Sequence, residues 1–431
     1  MKRVLIITYY WPPAGGSGVQ RWLKFSRYLP EFGWEPVIYT PENPECLVRD
    51  ESLASEIRPG TEIIRTRITE PYGIYRKLTG GQGIGKEVNI VRASEDKSLI
   101  QRISMKVRGN LFVPDPRCLW IRPSVSYLKK YLKDHPVDAV VTTGPPHSMH
   151  LIGRGLKRST GITWIADFRD PWTEIFYFKH IPMSDRIRKK HLELEKSVLD
   201  EADAVVAVSP TVQKEFMCKT STPVALITNG WDKNDFLEKE ESGYPSFNIV
   251  HTGLFSADGN PVNLWKVLGE LCREQEDFSE KLKIRLAGKT DKAILESVKT
   301  NGLSADDLGY VRHETAVEEQ RQASLLLLPL RQEPEYEAVL PGKLFEYLAS
   351  GRPIIGIGSP KGAMAEILSS SGCGKTFGWN DTAALKDEIL RRWKEYRAEG
   401  KTKDTDKTAV LKYERSRLTA EMAGLLDSLT K

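Results

Sequence analysis

LLLLPLRQEPEYEAVLPGKLFEYLASGRPII, residues Leu325 to Ile355, decides the fold. Leu325 to Leu328 form an unbroken apolar run, as expected of a strand covered on both faces, and Pro329 stops it. An acidic loop follows and is punctuated by Pro341 and Gly342, after which Lys343 to Ala349 take a helical pattern with Leu344, Phe345 and Leu348 as the apolar face. Gly351 closes that helix and Pro353 opens another strand. The free backbone N–H groups of a helix start attract anions, and Lys343 adds a full positive charge there. Glu346, one turn further on, can accept hydrogen bonds from sugar hydroxyls. The stretch therefore reads either as a pocket for a nucleotide diphosphate or as an ordinary strand-loop-helix-strand crossover carrying a surface Lys and Glu.

The same alternation extends in both directions. Strands are expected at Val4–Thr8, Pro36–Tyr39, Glu62–Arg65, Ala139–Thr143, Thr163–Asp167, Ala204–Val208 and Val224–Thr228. A second series is expected at Phe247–His251, Lys283–Ala287, Leu308–Val311, Leu325–Leu328, Pro353–Ile357 and near Lys375. Strands alternating with helical stretches specify α/β folding with mostly parallel sheets, and two series in succession specify two doubly wound, Rossmann-like domains. Asn229-Gly230-Trp231-Asp232 and the charged stretch Leu237–Gly243 lie between the series. The expected division is 1–229 with the last helix at 412–431, and 230–411.

Three loops in the first half follow strands directly, where doubly wound sheets bind ligands. Tyr9 to Gly18 carries Gly15 and Gly16, which allow close backbone approach to a phosphate or sugar. Its glycines do not form the GxGxxG pattern of nicotinamide enzymes. Thr142 to His150 places His147 at the start of a helix, whereas His150 lies deeper and reads as packing. Ala166-Asp167-Phe168-Arg169-Asp170-Pro171-Trp172 ends a third strand; Asp170 can orient a hydroxyl, and Arg169 can bind an anion or pair with Asp167. Leu99, Ile100, Ile103 and Val107 fall at helical spacing among Lys97, Arg102, Lys106 and Arg108, consistent with a lipid-facing helix or an ordinary surface helix.

The segment Glu346, Tyr347, Ala349, Gly351, Pro353 and Ile354 resembles the C-terminal signature of retaining GT-B glycosyltransferases of the family 4 type. The Asp-x-Arg-Asp-Pro-Trp segment resembles a bacterial surface-polysaccharide subgroup of them. The resemblance implies two Rossmann-like domains facing a cleft, with a C-terminal helix crossing back to the first. It implies that Glu346 holds the nucleotide ribose and that Leu340, Gly342 and Lys343 face the diphosphate. Gly16, Gly253, His313 and Glu337 are expected on the donor, His147 and Asp170 at the reacting centre, and Gly15, Arg169 and Trp172 beside the acceptor. The chain departs from the pattern twice. Ala338 occupies the motif's first acidic position, with Glu337 and Glu335 nearby. The family's Arg and Lys after the first strand of the second domain are absent from the loop His251 to Pro261, so Lys343 is the expected compensating charge.

The implied activity is sugar transfer, with retention of configuration, from a nucleotide-diphosphate sugar to a glycan or lipid-linked acceptor. No cofactor and no metal are expected, since no Asp-x-Asp stands at the expected place. An epimerase on the same scaffold, or a nucleotide-sugar-binding protein without activity, are the alternatives, and Ala338 keeps the latter in view. Composition sets the remaining bounds. In 431 residues, 63 Lys and Arg against 58 Asp and Glu leave a net charge of +5, too little to call for nucleic acid. Cys46, Cys118, Cys218, Cys272 and Cys373 are dispersed without a CxxC pair, which argues against a disulfide framework or zinc site and for the cytoplasm. The first residues read as a strand rather than a signal peptide, and no apolar run is long enough to span a bilayer, so any membrane contact is expected to be peripheral.

Overall fold

The computed structural model describes residues 1–45, 49–70, 109–236 and 245–430. Cys46, the amphipathic stretch from Lys97 to Arg108, and Leu237–Gly243 lie outside the described residues. The chain divides into two compact units, Met1–Thr228 with Leu418–Lys431, and Asn229–Arg417.

The first unit holds a parallel sheet of seven strands: β1 (Lys2–Ile7), β2 (Trp34–Pro41), β3 (Glu62–Thr66), β4 (Ala139–Gly144), β5 (Thr163–Phe168), β6 (Ala204–Ala207) and β7 (Val224–Leu226). Their order is β3-β2-β1-β4-β5-β6-β7, so the winding reverses between β1 and β4. Val4 pairs with Ala139 and Ile7 with Thr142 across that seam, which places the two loops after β1 and β4 side by side at its carboxyl end. Such a reversal opens a crevice in which ligands bind. Val4, Ile6, Val141 and Ile165 enter one core with Trp11, Trp22 and Trp34. The last helix, Arg415–Leu429, buries Leu418, Met422, Ala423 and Leu426 in that core, each worth about 1.5–3 kcal/mol for the larger side chains. Lys2 fixes its end by donating to Asp427 at 3.1 Å and to the Thr430 carbonyl at 3.3 Å.

The second unit holds β8 (Phe247–Thr252), β9 (Leu282–Ala287), β10 (Ala305–Gly309), β11 (Leu325–Pro329), β12 (Ile354–Ile357) and β13 (Gly374–Phe377), ordered β10-β9-β8-β11-β12-β13. All pairs are parallel and the winding reverses between β8 and β11. The opening run behaves as its composition requires: Leu325 and Leu327 enter one core, and Leu326 and Leu328 enter another on the opposite face. One strand differs from its expected place. β10 is Ala305–Gly309 rather than Leu308–Val311, because its pairing with β9 selects it. As an edge strand with exposed Asp306, Asp307 and Leu308, it carries no apolar pattern to read.

Candidate functional site

In the second unit the candidate site is built where β8 and β11 end. Gly342–Ser350 is helical, its N-terminus preceded by Pro341 and capped by no side chain. Lys343, on its first turn, reaches back to the loop after β8. Its Nζ donates to His251 Nε2 at 3.2 Å and to the Leu254 carbonyl at 3.3 Å. His251 Nδ1 lies 3.0 Å from the Leu327 carbonyl and donates to it, which leaves Nε2 as the acceptor for Lys343. Burial, and secondarily Lys343, hold this imidazole well below its usual range, so it is neutral. Burial also pushes the Lys343 ammonium down to about 8, against the attraction of Glu346. Gly253 has φ +85°, and a Cβ there would meet Lys343 Nζ at 3.3 Å. Lys343 therefore brings its charge to the loop from which the family's basic pair is missing.

Glu346 is half-buried on the same helix and accepts from Gln320 Nε2 at 3.1 Å. The same nitrogen donates to Thr252 Oγ1 at 3.1 Å, and the Thr252 N–H donates to the Tyr347 hydroxyl at 2.8 Å. The end of β8, the helix His313–Arg321 and the helix Gly342–Ser350 are thus joined around one carboxylate. Two expected donor residues have other partners here. Glu337 is exposed and accepts from Ser359 Oγ at 2.6 Å, which ties it to the loop after β12. His313 begins its helix and lies 3.4 Å from Asp235. Leu340 is buried behind Pro341.

In the first unit Asp167, at the end of β5, is fully buried. It accepts from Arg21 Nη2 at 2.8 Å, Trp22 Nε1 at 2.7 Å and Thr143 Oγ1 at 2.9 Å. Arg21, rather than Arg169, is its ion partner. Arg169 donates instead to the carbonyls of Gly18, Pro145 and Gly144, clamping the glycine-rich loop to the loop after β4. Its guanidinium is committed to backbone, so it positions these loops and is not free to grip an anion. Gly15 is half-buried, and Gly16, with φ +93°, precedes a helix that no side chain caps.

His147 is 7% exposed and lies flat on Trp172, ring centroids 4.7 Å apart and planes 3° from parallel. Trp172 is itself buried and donates to His191 Nδ1 at 3.1 Å, so it shapes His147 rather than offering a face to a sugar. Burial holds the His147 imidazole well below its usual range. Asp115 accepts from the Ser148 N–H at 2.8 Å and caps the helix that follows. Behind it, Trp164 Nε1 donates to Thr142 Oγ1 at 2.9 Å, and that hydroxyl shares a hydrogen bond of 2.9 Å with His150 Nδ1. The other ring nitrogen of His150, Nε2, faces Gly144. That nitrogen and His147 Nδ1 are both buried without a protein partner. Both border Gly144: a Cβ there would lie 2.5 Å from His150 Nε2 and 3.3 Å from His147 Nδ1. Gly144→Ala is expected to force the two imidazoles apart and to cost about 1–3 kcal/mol, read as a lower denaturation midpoint with shifted His147 and His150 imidazole resonances. Unchanged resonances would refute this packing. Asp170 is exposed, and surrounding protein raises its carboxyl above the usual range against the pull of Arg169.

Sequence reasoning missed Gln320, Thr252 and Arg21, whose roles depend on contacts far apart in the chain. Asp115 left a trace, since its Pro-Asp-Pro context marks a rigid turn.

The family model for Glycosyltransferase Family 4 matches residues 16–235, and that for glycosyl transferases group 1 matches residues 247–395. The chain belongs to glycosyltransferase family 4, and its two Rossmann-like domains have the GT-B fold. No curated protein matches it. Among solved structures it is similar to a glycosyltransferase from Rickettsia africae, at 12% identity and TM-score 0.65, covering 100% of this chain and 99% of that one. It is similar to Anabaena Alr3699/HepE in complex with UDP-glucose, at 12% identity and TM-score 0.62, covering 100% of each. It is also similar to sucrose-phosphate synthase from Thermosynechococcus elongatus, at 14% identity and TM-score 0.59, covering 100% of this chain and 95% of that one. At these identities the likeness is one of fold. Among the described residues no helix is long and apolar enough to cross a membrane.

Proposed function

We propose that this glycosyltransferase takes its sugar from a nucleotide-diphosphate donor and transfers it, with retention and without a metal, to a hydroxyl of a glycan or lipid-linked acceptor. The observation that carries the reading is the pairing of Lys343 and Glu346, one turn apart on an uncapped helix, at the reversal of the second sheet. Lys343 and the helix N-H groups stabilise the departing diphosphate, while Glu346 receives the ribose hydroxyls. The UDP-glucose in the Anabaena Alr3699/HepE complex is of this chemical class.

Retention by double displacement needs a carboxylate beside the anomeric carbon. Ala338 takes the position of the expected acid, and the carboxylate of neighbouring Glu337 accepts from Ser359. We therefore favour same-face displacement. The bond from the anomeric carbon to the phosphate oxygen breaks, the bond to the acceptor oxygen forms on the same face, and the acceptor proton passes to the departing phosphate. Neutral His147 offers a hydrogen bond at the reacting centre, and Asp170 orients the acceptor hydroxyl.

A thermal-shift panel of nucleotide sugars tests the donor assignment, because a ligand at 100 times its Kd stabilises by about 2.7 kcal/mol. Wild type is expected to shift with at least one nucleotide sugar, and Glu346→Gln to lose most of that shift. A panel without any shift, or an equal shift in the variant, would sink the assignment. Nucleotide release that requires acceptor then distinguishes transfer from epimerisation or simple binding.

A further inference from the structure

In the first unit a cavity of about 450 Å³ lies between the helices Ile121–Asp134 and Ser148–Thr160. It is made by the close packing of these helices: Gly155 has no side chain, and a Cβ there would meet Val125 Cγ2 at 2.6 Å. Its apolar lining is formed by Ile121, Val125 and Leu151. Both helices also contribute cations, Arg122 and Lys129 from the first and Arg154 and Arg158 from the second, and no acidic side chain lines the groove. Arg158 is neutralised by a two-pronged pair with Glu201, both bonds 2.6 Å. Arg154 donates to the neutral hydroxyl of Ser197; burial and then Arg158 disfavour its charge, against the attraction of Glu201. Arg122 and Lys129 are exposed and, among the described residues, take part in no ion pair. Arg122 and Lys129 thus stand beside apolar side chains with no ion partner among the described residues, and Arg154, which bonds Ser197 and is attracted by Glu201, extends a cationic face that favours an anion.

We propose that this groove is a second binding site, separate from the Lys343 cluster, for a phosphate ester that carries an apolar segment. The guanidinium groups of Arg122 and Arg154 suit the planar recognition of phosphate oxygens, and Lys129 adds a point charge. The side chains of Ile121, Val125 and Leu151 take the apolar segment. A phospholipid headgroup at a bilayer surface and a free phosphate ester share this chemistry.

The test uses the full chain with dihexanoylphosphatidylglycerol below its micellar concentration, glycerol 3-phosphate, and vesicles of phosphatidylcholine with or without phosphatidylglycerol. Wild type is expected to bind the short-chain lipid at least about tenfold more tightly than glycerol 3-phosphate. In the double variant Arg122→Ala/Lys129→Ala that binding is expected to weaken about tenfold or more, since each tenfold corresponds to one lost contact of about 1.4 kcal/mol. Flotation with phosphatidylglycerol vesicles, lost in the variant, assigns a membrane source; binding of the short-chain lipid without flotation assigns a soluble one. Equal affinity of wild type and variant, or equal affinity for both esters, overturns the proposal. Both altered side chains lie on an exposed helix surface, and nucleotide-sugar binding by the variant is expected to be unchanged, so this result is independent of the donor assignment.

Discussion

Lys343→Met is expected to lower kcat/KM for nucleotide-sugar turnover by about 10²–10³-fold, or about 2.7–4 kcal/mol, the usual loss when one preorganised group facing developing charge is removed. The same variant is expected to be more stable at neutral pH. The ammonium is pushed down to about 8 from 10.5 by burial, so folding favours its neutral form. Between these values the unfolded chain binds more protons, and stability rises with pH. Below about 8 the folded protein carries the full cost of the buried charge, which Met does not impose. Activity has the opposite dependence: wild-type turnover should fall as pH rises through about 8, where the cation that faces the diphosphate is lost. Lys343→Met should show no such alkaline limb, and its His251, relieved of a neighbouring charge, should protonate more readily, though burial still holds it low. Steady-state kinetics and denaturation across pH 6 to 10 check both halves. Wild-type kinetics in the variant would remove Lys343 from the site.

This combination of lower stability and useful charge was partly legible in the sequence. Strand-loop-helix punctuation around Pro341 and Gly342 locates the helix start, and the offset between Lys343 and Glu346 places both on successive turns, because helix periodicity is a local property. The two sheets are legible for the same reason, since their strands are covered on both faces and read as apolar runs. What escapes is whatever depends on distant partners. β10 has Ala305, Asp306 and Asp307, a composition that gives no strand signal, and only pairing with β9 makes it one. Gln320 looks like any polar residue of a surface helix, yet it is fully buried and holds Glu346. Arg169 and Asp167 stand two apart and invite pairing, but each is taken by another partner. Arg169 turns to three carbonyls, and the partner of Asp167 comes from a helix near residue 21.

That distant partner is the basis of the largest expected loss of stability. Arg21→Met is expected to destabilise the first unit by about 3–5 kcal/mol, because removing one member of a buried pair leaves the other charge uncompensated. Both side chains are essentially inaccessible, at 1% and 0%. Arg21 also donates to the carbonyls of Thr228 at 2.7 Å and Ile227 at 2.9 Å, so its loss leaves two further buried acceptors without a donor. Trp22 and Thr143 would remain as neutral donors to Asp167 and do not replace a guanidinium. The carboxyl of Asp167 is held below its ordinary 3.8 despite burial, chiefly by Arg21. Its stabilising contribution is therefore complete above about pH 3.8 and is lost as pH falls through the lower folded value. The gap between wild type and Arg21→Met should be widest near neutral pH and should narrow below that range. Arg21→Lys keeps a charge but not the fork that reaches both the carboxylate and the carbonyls, and should fall between the two. Denaturant titrations followed by the NMR resonance of the Trp22 indole N–H, which donates to Asp167 at 2.7 Å, report this unit directly. A loss under about 1 kcal/mol at neutral pH would mean that the pair is dispensable, as buried pairs sometimes are when both partners are replaced by apolar residues.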